Sequence, residues 1–328
     1  MTRAIRIHEH GGPDVLRWEE TDPGLPGPGQ ALIRQTAAGL NFIDVYHRTG
    51  LYPVPGWPAI IGNEGAGVVE AVGDGVTEVA AGDRVAYCMS LGAYTERRVI
   101  DAARLVRLPD GISDRQAAAM MLKGCTVQYL VRRIHPVKPG DTILLHAAAG
   151  GVGLIACQWA RHLGATVIGT VGSDAKAELA RAHGCDHPIV YTRENVVERV
   201  RALTGGAGVP VVFDSVGKDT FAASLDCLQP RGLMVSYGNA SGAVEPFSPG
   251  LLAAKGSLFL TRPTLASYIG TRAELEATTR DLFEVVGSGA VKVDVSLALP
   301  LEDAAEAHRR LEARETTGST VLVMEGES

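Results

Sequence analysis

The sequence predicts an α/β fold in which a compact β domain is combined with a doubly wound parallel sheet. The first hundred residues are rich in glycine and proline and carry short alternating apolar runs, which is typical of a β domain. From Ser113 onward, strand-like apolar runs alternate with helical patterns. A glycine turn then joins a buried strand directly to a helix. Repeated βα units of this kind form parallel sheets.

Length and composition limit the classes of protein to which the chain can belong. A chain of 328 residues exceeds what one hydrophobic core usually serves, so we expect two domains. The net charge of -6 offers no basic surface for a phosphate backbone, which excludes nucleic acid as the main partner. No apolar stretch reaches the roughly 20 residues of a membrane span, and no secretory signal precedes the first strand. These features predict a cytoplasmic protein.

The β domain is predicted from alternating runs such as residues 31–35 and 67–72, separated by turns at residues 26–29, 73–75 and 82–83. A helix follows, because Ser113 can cap it together with Gln116. The parallel sheet is predicted from six strands: residues 142–146, 166–170, 188–191, 209–214, 233–237 and 257–260. Its first helices, residues 153–163 and 175–182, end before Gly164 and Gly184.

The last part of the chain is predicted to return to the β domain, because six strands already complete the parallel sheet. It carries a helix at residues 271–286, a strand-like run at 291–295, a helix at 301–314 and a final strand at 319–324. The expected domains are therefore residues 1–122 with 263–328, and residues 123–262.

The most informative segment is the glycine turn that follows the strand at residues 142–146. Against the dinucleotide pattern G-x-G-x-x-G, Ala148 takes the place of the first glycine, while Gly150 and Gly153 take the second and third. Gly150 lets the backbone approach a diphosphate, and Gly153 lets the helix pack closely on the strand. The amides of Gly151 and Val152 at the helix start then face the diphosphate.

The end of the second strand predicts NADPH as the cofactor. An NAD site places a carboxylate about 20 residues beyond the loop, but this strand tip reads Thr170-Val171-Gly172-Ser173, with Asp174 falling later, where we expect it to cap the next helix. Ser173 and Lys176 can bind a 2′-phosphate, and Tyr191 can add a phenol donor.

Two further residue types are interpreted as structural. The five cysteines are far apart and include no C-x-x-C pair, so we expect small buried side chains in a reducing compartment. His146 adjoins the glycine turn, where a hydrogen-bonded histidine at a strand end is the expected role.

These residues together resemble the quinone oxidoreductase and zeta-crystallin branch of the medium-chain dehydrogenase superfamily, along essentially the whole chain. The signature of that branch appears as Gly140, Asp141, Leu144, Ala148, Ala149, Gly150, Gly151, Gly153, Gln158 and Arg161, with further similarity at residues 41–44, 50–53, 214–217 and 237–239. The resemblance implies a GroES-like β domain with a Rossmann domain, pairing into homodimers through the latter.

The resemblance also implies chemistry without zinc. Zinc-dependent members carry a cysteine and a histidine at the positions that here are Asn41 and Asn63, and neutral amides replace the thiolate and imidazole that zinc requires. Glu64 follows, and we expect it to be a structural carboxylate. Lys123 matches a family segment near the domain junction, although a solvated surface lysine fits equally well.

The implied activity is NADPH-dependent reduction of a small quinone, because the aromatic product makes hydride acceptance easy. The resemblance places Asn41, Tyr46 and Tyr52 at the substrate, although a turn asparagine and half-buried tyrosines are ordinary structural features. It adds a set of cofactor residues: Asn41, Tyr129, Gly172, Ser215, Tyr237, Gly238, Asn239 and Arg314. Reduction of α,β-unsaturated carbonyls and non-enzymatic NADPH binding remain alternatives.

Overall fold

The computed structural model describes residues 2–324, so residue 1 and residues 325–328 of the expected first domain lie outside it. The chain divides into two compact units. The first comprises Met1–Cys125, Ile269–Gly287 and Val293–Ser328, and the second comprises Thr126–Tyr268 and Ser288–Lys292. The expected divisions fall at residues 122 and 263, whereas the first unit ends at Cys125, resumes at Ile269 and leaves residues 288–292 to the second unit. No helix within residues 2–324 is both long and apolar enough to cross a membrane.

The strands of the described chain are β1 (Thr2–Ile7), β2 (Arg17–Thr21), β3 (Gln30–Gly39), β4 (Ala59–Ile60), β5 (Glu64–Val72), β6 (Arg84–Cys88), β7 (Arg97–Asp101), β8 (Val106–Arg107), β9 (Thr142–Leu145), β10 (Thr166–Val171), β11 (His187–Val190), β12 (Val209–Asp214), β13 (Leu228–Ser236), β14 (Phe259–Thr261), β15 (Val295–Pro300) and β16 (Ser319–Val323).

The helices are α1 (Phe42–Thr49), α2 (Asp114–Gln128), α3 (Gly151–His162), α4 (Asp174–Ala182), α5 (Val196–Leu203), α6 (Phe221–Cys227), α7 (Gly250–Ala254), α8 (Arg272–Gly287) and α9 (Ala304–Glu312). A π-helical segment, Tyr129–Ile134, continues α2. The expected cap of α2 is confirmed, because the Ser113 hydroxyl accepts from the Gln116 amide (3.2 Å) while the Gln116 side chain accepts from Ser113 N (3.3 Å).

The first unit is built on a seven-stranded sheet and a three-stranded one. The larger sheet runs β15-β16-β3-β5-β6-β8, with β7 paired to β3, and the smaller runs β2-β1-β4. β16 lies antiparallel to β3, with Leu322 opposite Ala38, which confirms that the end of the chain returns to the β domain. The inward side chains of both sheets form one core, in which Ile33, Tyr94 and Leu322 are fully buried.

A buried arginine fastens α1 to the returning helix α9. The Arg48 guanidinium donates to His308 Nδ1 (3.0 Å) and to a carboxylate oxygen of Glu312 (2.8 Å), and its Nε donates to the Gly11 carbonyl (3.0 Å). Burial lowers the pKa of His308 to about 3, so its imidazole is neutral and can accept from the arginine. The position of α1 therefore depends on residues 260 or more positions away in the chain.

The second unit is a six-stranded, wholly parallel sheet of order β11-β10-β9-β12-β13-β14. The strand order reverses between β9 and β12, which is the topological switch point where open α/β sheets bind ligands. The strands are apolar on both faces because helices cover both of them, and Leu144, Ile168 and Val212 are fully buried.

Two predictions near the end of the chain were wrong in detail. Residues 291–295 alternate because Val291 and Val293 are buried, yet the strand ladder begins only at Val295, opposite Ser319. The backbone of Lys292 is instead bonded to the Gln158 side chain, at 2.9 and 3.0 Å. The helix expected over residues 301–314 begins with a 3-10 turn, Leu301–Asp303, and ends at Glu312.

Candidate functional site

The carboxyl ends of five parallel strands carry the predicted cofactor residues of the second unit, with the exception of Tyr129. Because all five strands run in the same direction, these ends lie along one edge of the sheet. From β9 through β13 in turn, the residues are Gly150, Gly151, Val152 and Gly153; Gly172, Ser173 and Lys176; Tyr191; Ser215; and Tyr237, Gly238 and Asn239.

The glycine turn places α3 very close to the strand that precedes it. A Cβ at Gly153 would lie 2.7 Å from the carbonyl carbon and oxygen of Ala148 and would also collide with the Ala147 carbonyl. These are backbone atoms, so they cannot yield as a flexible side chain could. The structure therefore gives Gly153 the packing role that the sequence predicts for it.

The first half of the turn contains alanines where the dinucleotide pattern has glycine. The left-handed residue is Ala147, at φ 55°, one position before the residue that we aligned with the first glycine. Ala148 is fully buried, and its methyl group fits because the neighbouring strand has Gly169 beside it. A Cβ on Gly169 would lie only 2.6 Å from that of Ala148. The methyl group of Ala148 thus occupies the space that a side chain at position 169 would need.

The start of α3 can hold an anion. Leu154 makes the first bond of the helical ladder, to the Gly150 carbonyl (2.9 Å), so the amides of the three preceding residues have no acceptor within the helix. The first turn carries no acidic side chain. These amides and the positive end of the helix dipole suit a diphosphate.

The next two strands end at a polar corner. Ser173 is the N-cap of α4, with its hydroxyl accepting from the Lys176 amide (3.3 Å), so the prediction that Asp174 caps this helix was wrong. The Tyr191 hydroxyl lies 2.8 Å from where a Cβ of Gly172 would be, and the Tyr191 side chain is 45% exposed. The Tyr191 phenol therefore lies beside Gly172, next to the start of α4, the helix that Ser173 caps and that carries Lys176 in its first turn.

The ends of β12 and β13 lie equally close together. A Cβ at Gly238 would be 2.9 Å from Ser215 Cα, so the two loops touch through their backbones. The Tyr237 phenol is hydrogen-bonded to Ser215, and burial raises its pKa. With its amide oxygen turned toward Arg262, Asn239 accepts a bond of 3.2 Å. Tyr129 in the π-helical segment stacks on Tyr268, with ring centroids 4.5 Å apart.

His146 is a hydrogen-bonded strand-end residue, as its sequence context suggests. Its two ring nitrogens lie 2.9 Å from the hydroxyls of Thr170 and Ser224, and the Ser224 hydroxyl in turn donates to Asp214 (2.7 Å). Burial lowers the pKa of the imidazole, so the histidine is neutral at physiological pH.

In the first unit, Asn41 belongs to a buried polar cluster with Glu64 and Lys123. One carboxylate oxygen of Glu64 accepts from Asn41 Nδ2 (2.7 Å) and from Lys123 Nζ (2.6 Å), and the other accepts from the Leu122 amide (2.6 Å). The Glu64 side chain is 0% exposed. The hypothesis of a surface lysine is therefore wrong. The structural carboxylate predicted at Glu64 is present, and it accepts these three hydrogen bonds from N–H donors.

A second buried carboxylate, Asp44, lies next to this cluster. It accepts from the Asn41 amide (2.9 Å), the Asn63 side chain (2.9 Å) and the Tyr94 hydroxyl (3.0 Å). Burial nevertheless raises its pKa to about 7, because three neutral donors do not replace the lost hydration. Asn41 and Asn63 are thus held by two carboxylates, one on each amide side chain.

Of the other predicted residues of the first unit, Tyr46 is buried, Tyr52 is half-buried and Arg314 is exposed. The rings of Tyr46 and Tyr52 meet edge to face, with centroids 5.2 Å apart, and the Tyr52 amide bonds the Tyr46 carbonyl (3.0 Å). Arg314 follows α9 in a left-handed conformation, at φ 59°. The roles of these three residues stay predictions. Among residues 2–324, no three His, Cys, Asp or Glu side chains are grouped as a metal site requires.

Sequence reasoning missed Asp44, Tyr268 and Arg262. The burial of Lys123 had a signal, because it is the only charged residue between Arg115 and Arg132. Asp44 lies three residues after Asn41, the spacing of a capping box, which could have drawn attention to it. No sequence signal pairs Tyr268 with Tyr129 across more than a hundred residues.

Two family models and several known proteins match the chain. Residues 27–110 match the alcohol dehydrogenase GroES-like domain, and residues 151–284 match the zinc-binding dehydrogenase family. A quinone oxidoreductase of Pseudomonas aeruginosa is 54% identical over 98% of this chain and 100% of its own length. A 2-haloacrylate reductase of a Burkholderia species is 49% identical, with 98% and 99% covered. The crystal structure of Escherichia coli quinone oxidoreductase complexed with NADPH superposes with a TM-score of 0.96 at 51% identity, covering 98% of this chain and 99% of that one.

The turn geometry generates a first prediction. Replacing Gly153 with alanine should lower the free energy of unfolding by about 1–3 kcal/mol and weaken NADPH binding at least about tenfold, because the new methyl group pushes the helix amides off the strand. Denaturant unfolding and fluorescence titration measure the two effects. Gly250→Ala is the matched control, since its Cβ would meet only Ser248 Oγ, at 3.5 Å, and it should leave both quantities unchanged. Equal behaviour of the two variants would contradict this account of Gly153.

The raised pKa of Asp44 generates a second prediction. The carboxyl holds its proton more tightly in the folded chain, with a pKa of about 7, than in the unfolded chain. The resulting stabilisation is complete below about pH 4 and is lost as the pH rises to about 7. Asp44→Asn removes this loss, so the stability of the variant relative to wild type should increase by on the order of 4 kcal/mol between pH 4 and pH 8. Urea titrations across this range measure it, and a pH-independent difference would refute the prediction.

Proposed function

This chain belongs to the quinone oxidoreductase family, and on that basis we propose that it reduces quinones with NADPH as the hydride donor. The observation that carries the proposal is the glycine turn of the second unit, where bare helix amides adjoin the corner formed by Ser173, Lys176 and Tyr191. The turn suits a diphosphate, and the corner suits one further phosphate. A dinucleotide with a 2′-phosphate has this pattern of charges.

The residues present therefore fit NADPH, which when bound supplies a hydride to an electron-poor acceptor. Gly151, Val152 and Gly153 would hold the diphosphate through their amides. Tyr237 and Ser215, already bonded to each other, and Asn239, oriented by Arg262, would line the remainder of the cofactor together with Gly172, Gly238, Tyr129 and Arg314. The role of each residue is part of the proposal.

Asn41, Tyr46 and Tyr52 are proposed to bind the substrate. Glu64 and Asp44 fix the side chain and the backbone amide of Asn41, so this residue enters the reaction already oriented. The phenols of Tyr46 and Tyr52 hold a proton on Oη that can be shared with a quinone oxygen as it gains charge. Quinone reduction needs such donors and requires no strong base, because the product is aromatic.

We also propose that the reaction proceeds without zinc, although residues 151–284 match a family described as zinc-binding. The amide nitrogens of Asn41 and Asn63 donate to Glu64 and Asp44, which is the opposite of what a metal ligand does. The chemistry of these donors supports hydride transfer to an acceptor that needs no Lewis acid.

A second candidate function is reduction of an activated alkene. The 2-haloacrylate reductase that is 49% identical over nearly the whole chain favours it, since a haloacrylate is an electron-poor alkene. The same hydride donor and the same phenols would serve both reactions.

A homodimer and a cytoplasmic location complete the proposal. The edge strand β14 supports pairing through the second unit, because Phe259 on it is 62% exposed at the end of the sheet. Five free, buried cysteines support a reducing compartment.

Acceptor specificity tests the proposed activity. NADPH oxidation should be rapid with 1,4-benzoquinone and 9,10-phenanthrenequinone, slower with a 2-alkenal or 2-haloacrylate, and unchanged after treatment with a chelator. Turnover confined to the alkenes would favour the second candidate, and loss of activity on chelation would contradict the zinc-free proposal. Binding of NADPH without reduction of any acceptor would indicate a non-enzymatic role.

The preference for NADPH is tested at Lys176. Lys176→Ala should raise the KM for NADPH about tenfold or more while leaving the KM for NADH within about twofold, because only the former has a phosphate for the ammonium to meet. Lys138→Ala is the matched control, since Lys138 precedes β9 at the amino end of the sheet. A wild-type enzyme that prefers NADH, with an unchanged KM for NADPH in Lys176→Ala, would refute the assignment.

A further inference from the structure

An exposed ion pair lies at the corner where the 2′-phosphate is expected. Arg193 donates two hydrogen bonds to Asp174, from Nη1 to Oδ2 (2.8 Å) and from Nη2 to Oδ1 (2.5 Å). Asp174 is the first residue of α4, directly after Ser173, and Arg193 is two residues beyond Tyr191. The pair therefore joins the two loops that contribute Ser173, Lys176 and Tyr191.

The carboxylate of Asp174 poses a problem for a phosphate at this corner. The hydrogen bonds from Arg193 hold its pKa below the usual value, so Asp174 is charged at neutral pH. An uncompensated negative charge beside Ser173 would repel a 2′-phosphate and favour a cofactor without one. A bidentate arginine cancels that charge and engages both carboxylate oxygens.

The other acidic residue of this loop is also bonded. Glu194 accepts from the Val190 amide (2.9 Å) at the end of β11 and pairs with Arg199 of α5 (2.9 Å). Each of the two carboxylates is therefore matched by an arginine, Asp174 by Arg193 and Glu194 by Arg199. Without Arg193, the charge of Asp174 would lie beside Ser173 with no arginine bonded to it.

We propose that Arg193 is a specificity-determining residue for the 2′-phosphate, acting by neutralising Asp174 and adding a guanidinium beside Ser173, Lys176 and Tyr191. This inference rests on the proposed use of NADPH. It assigns the discrimination between the two dinucleotides to an ion pair that spans two loops, in addition to the residues at the strand ends.

The experiment compares two nucleotides that differ only in the 2′-phosphate, adenosine 2′,5′-bisphosphate and adenosine 5′-monophosphate, by isothermal titration calorimetry. Arg193→Ala should weaken binding of the bisphosphate about fivefold and leave the monophosphate within about twofold. Arg193→Lys should retain most of the affinity, because it keeps the charge. The double variant Arg193→Ala with Asp174→Asn should recover to within about threefold of wild type, since it lacks both charges.

Two results would overturn the inference: an unchanged affinity of Arg193→Ala for the bisphosphate, or an equal loss for both nucleotides. Asp174→Asn alone gives an independent reading that does not depend on the fold of Arg193→Ala. This variant should bind the bisphosphate about twofold more tightly than wild type, and an unchanged or weaker affinity would count against the proposal. If wild type and Lys176→Ala bind both nucleotides equally, the use of NADPH itself fails. If Lys176→Ala binds the bisphosphate more weakly while Arg193→Ala binds it as wild type does, only the proposed role of Arg193 fails.

Discussion

The structure of the second unit depends on one close approach of backbone to backbone. At Gly153 the helix α3 lies so near the end of β9 that no side chain fits between them, and a Cβ would lie 2.7 Å from atoms of Ala148. This contact directs the unbonded helix amides toward the edge of the sheet where the other five strands also end. The positions of the remaining cofactor residues follow from that edge, because parallel strands present all their carboxyl ends on one side.

Two buried carboxylates place a comparable constraint on the first unit. Glu64 and Asp44 are fully buried, and each accepts hydrogen bonds from other segments of the first unit. A buried carboxylate is tolerated only when such donors replace its hydration. Glu64 has an ammonium among them, whereas Asp44 has only neutral donors, and its pKa rises to about 7 accordingly. Asn41 is held between the two, which links the stability of this unit to the orientation of a proposed substrate residue.

Much of the parallel sheet could be predicted because its signals are local. Each buried strand is a short apolar run, each helix ends before a glycine, and the strand, turn and helix of residues 142–163 follow one another directly. The errors had two causes: burial without a strand ladder, and a neighbouring residue that also could cap the helix. Val291 and Val293 are buried without forming a ladder, and Asp174 is preceded by Ser173, which caps the helix instead. A pattern of apolar residues reports which side is covered, and hydrogen-bond partners decide whether a strand forms.

By itself, the sequence determined the two kinds of domain, the glycine turn, the asparagines at positions 41 and 63 and the absence of a carboxylate at the tip of β10. These are properties of single positions or of neighbours in the chain. Only the tertiary structure decided that Lys123 is buried against Glu64, that Ala148 is accommodated by Gly169 and that Arg193 neutralises Asp174. Each of these facts depends on the distance between residues far apart in sequence, and that distance is set by the packing and strand register of the whole unit.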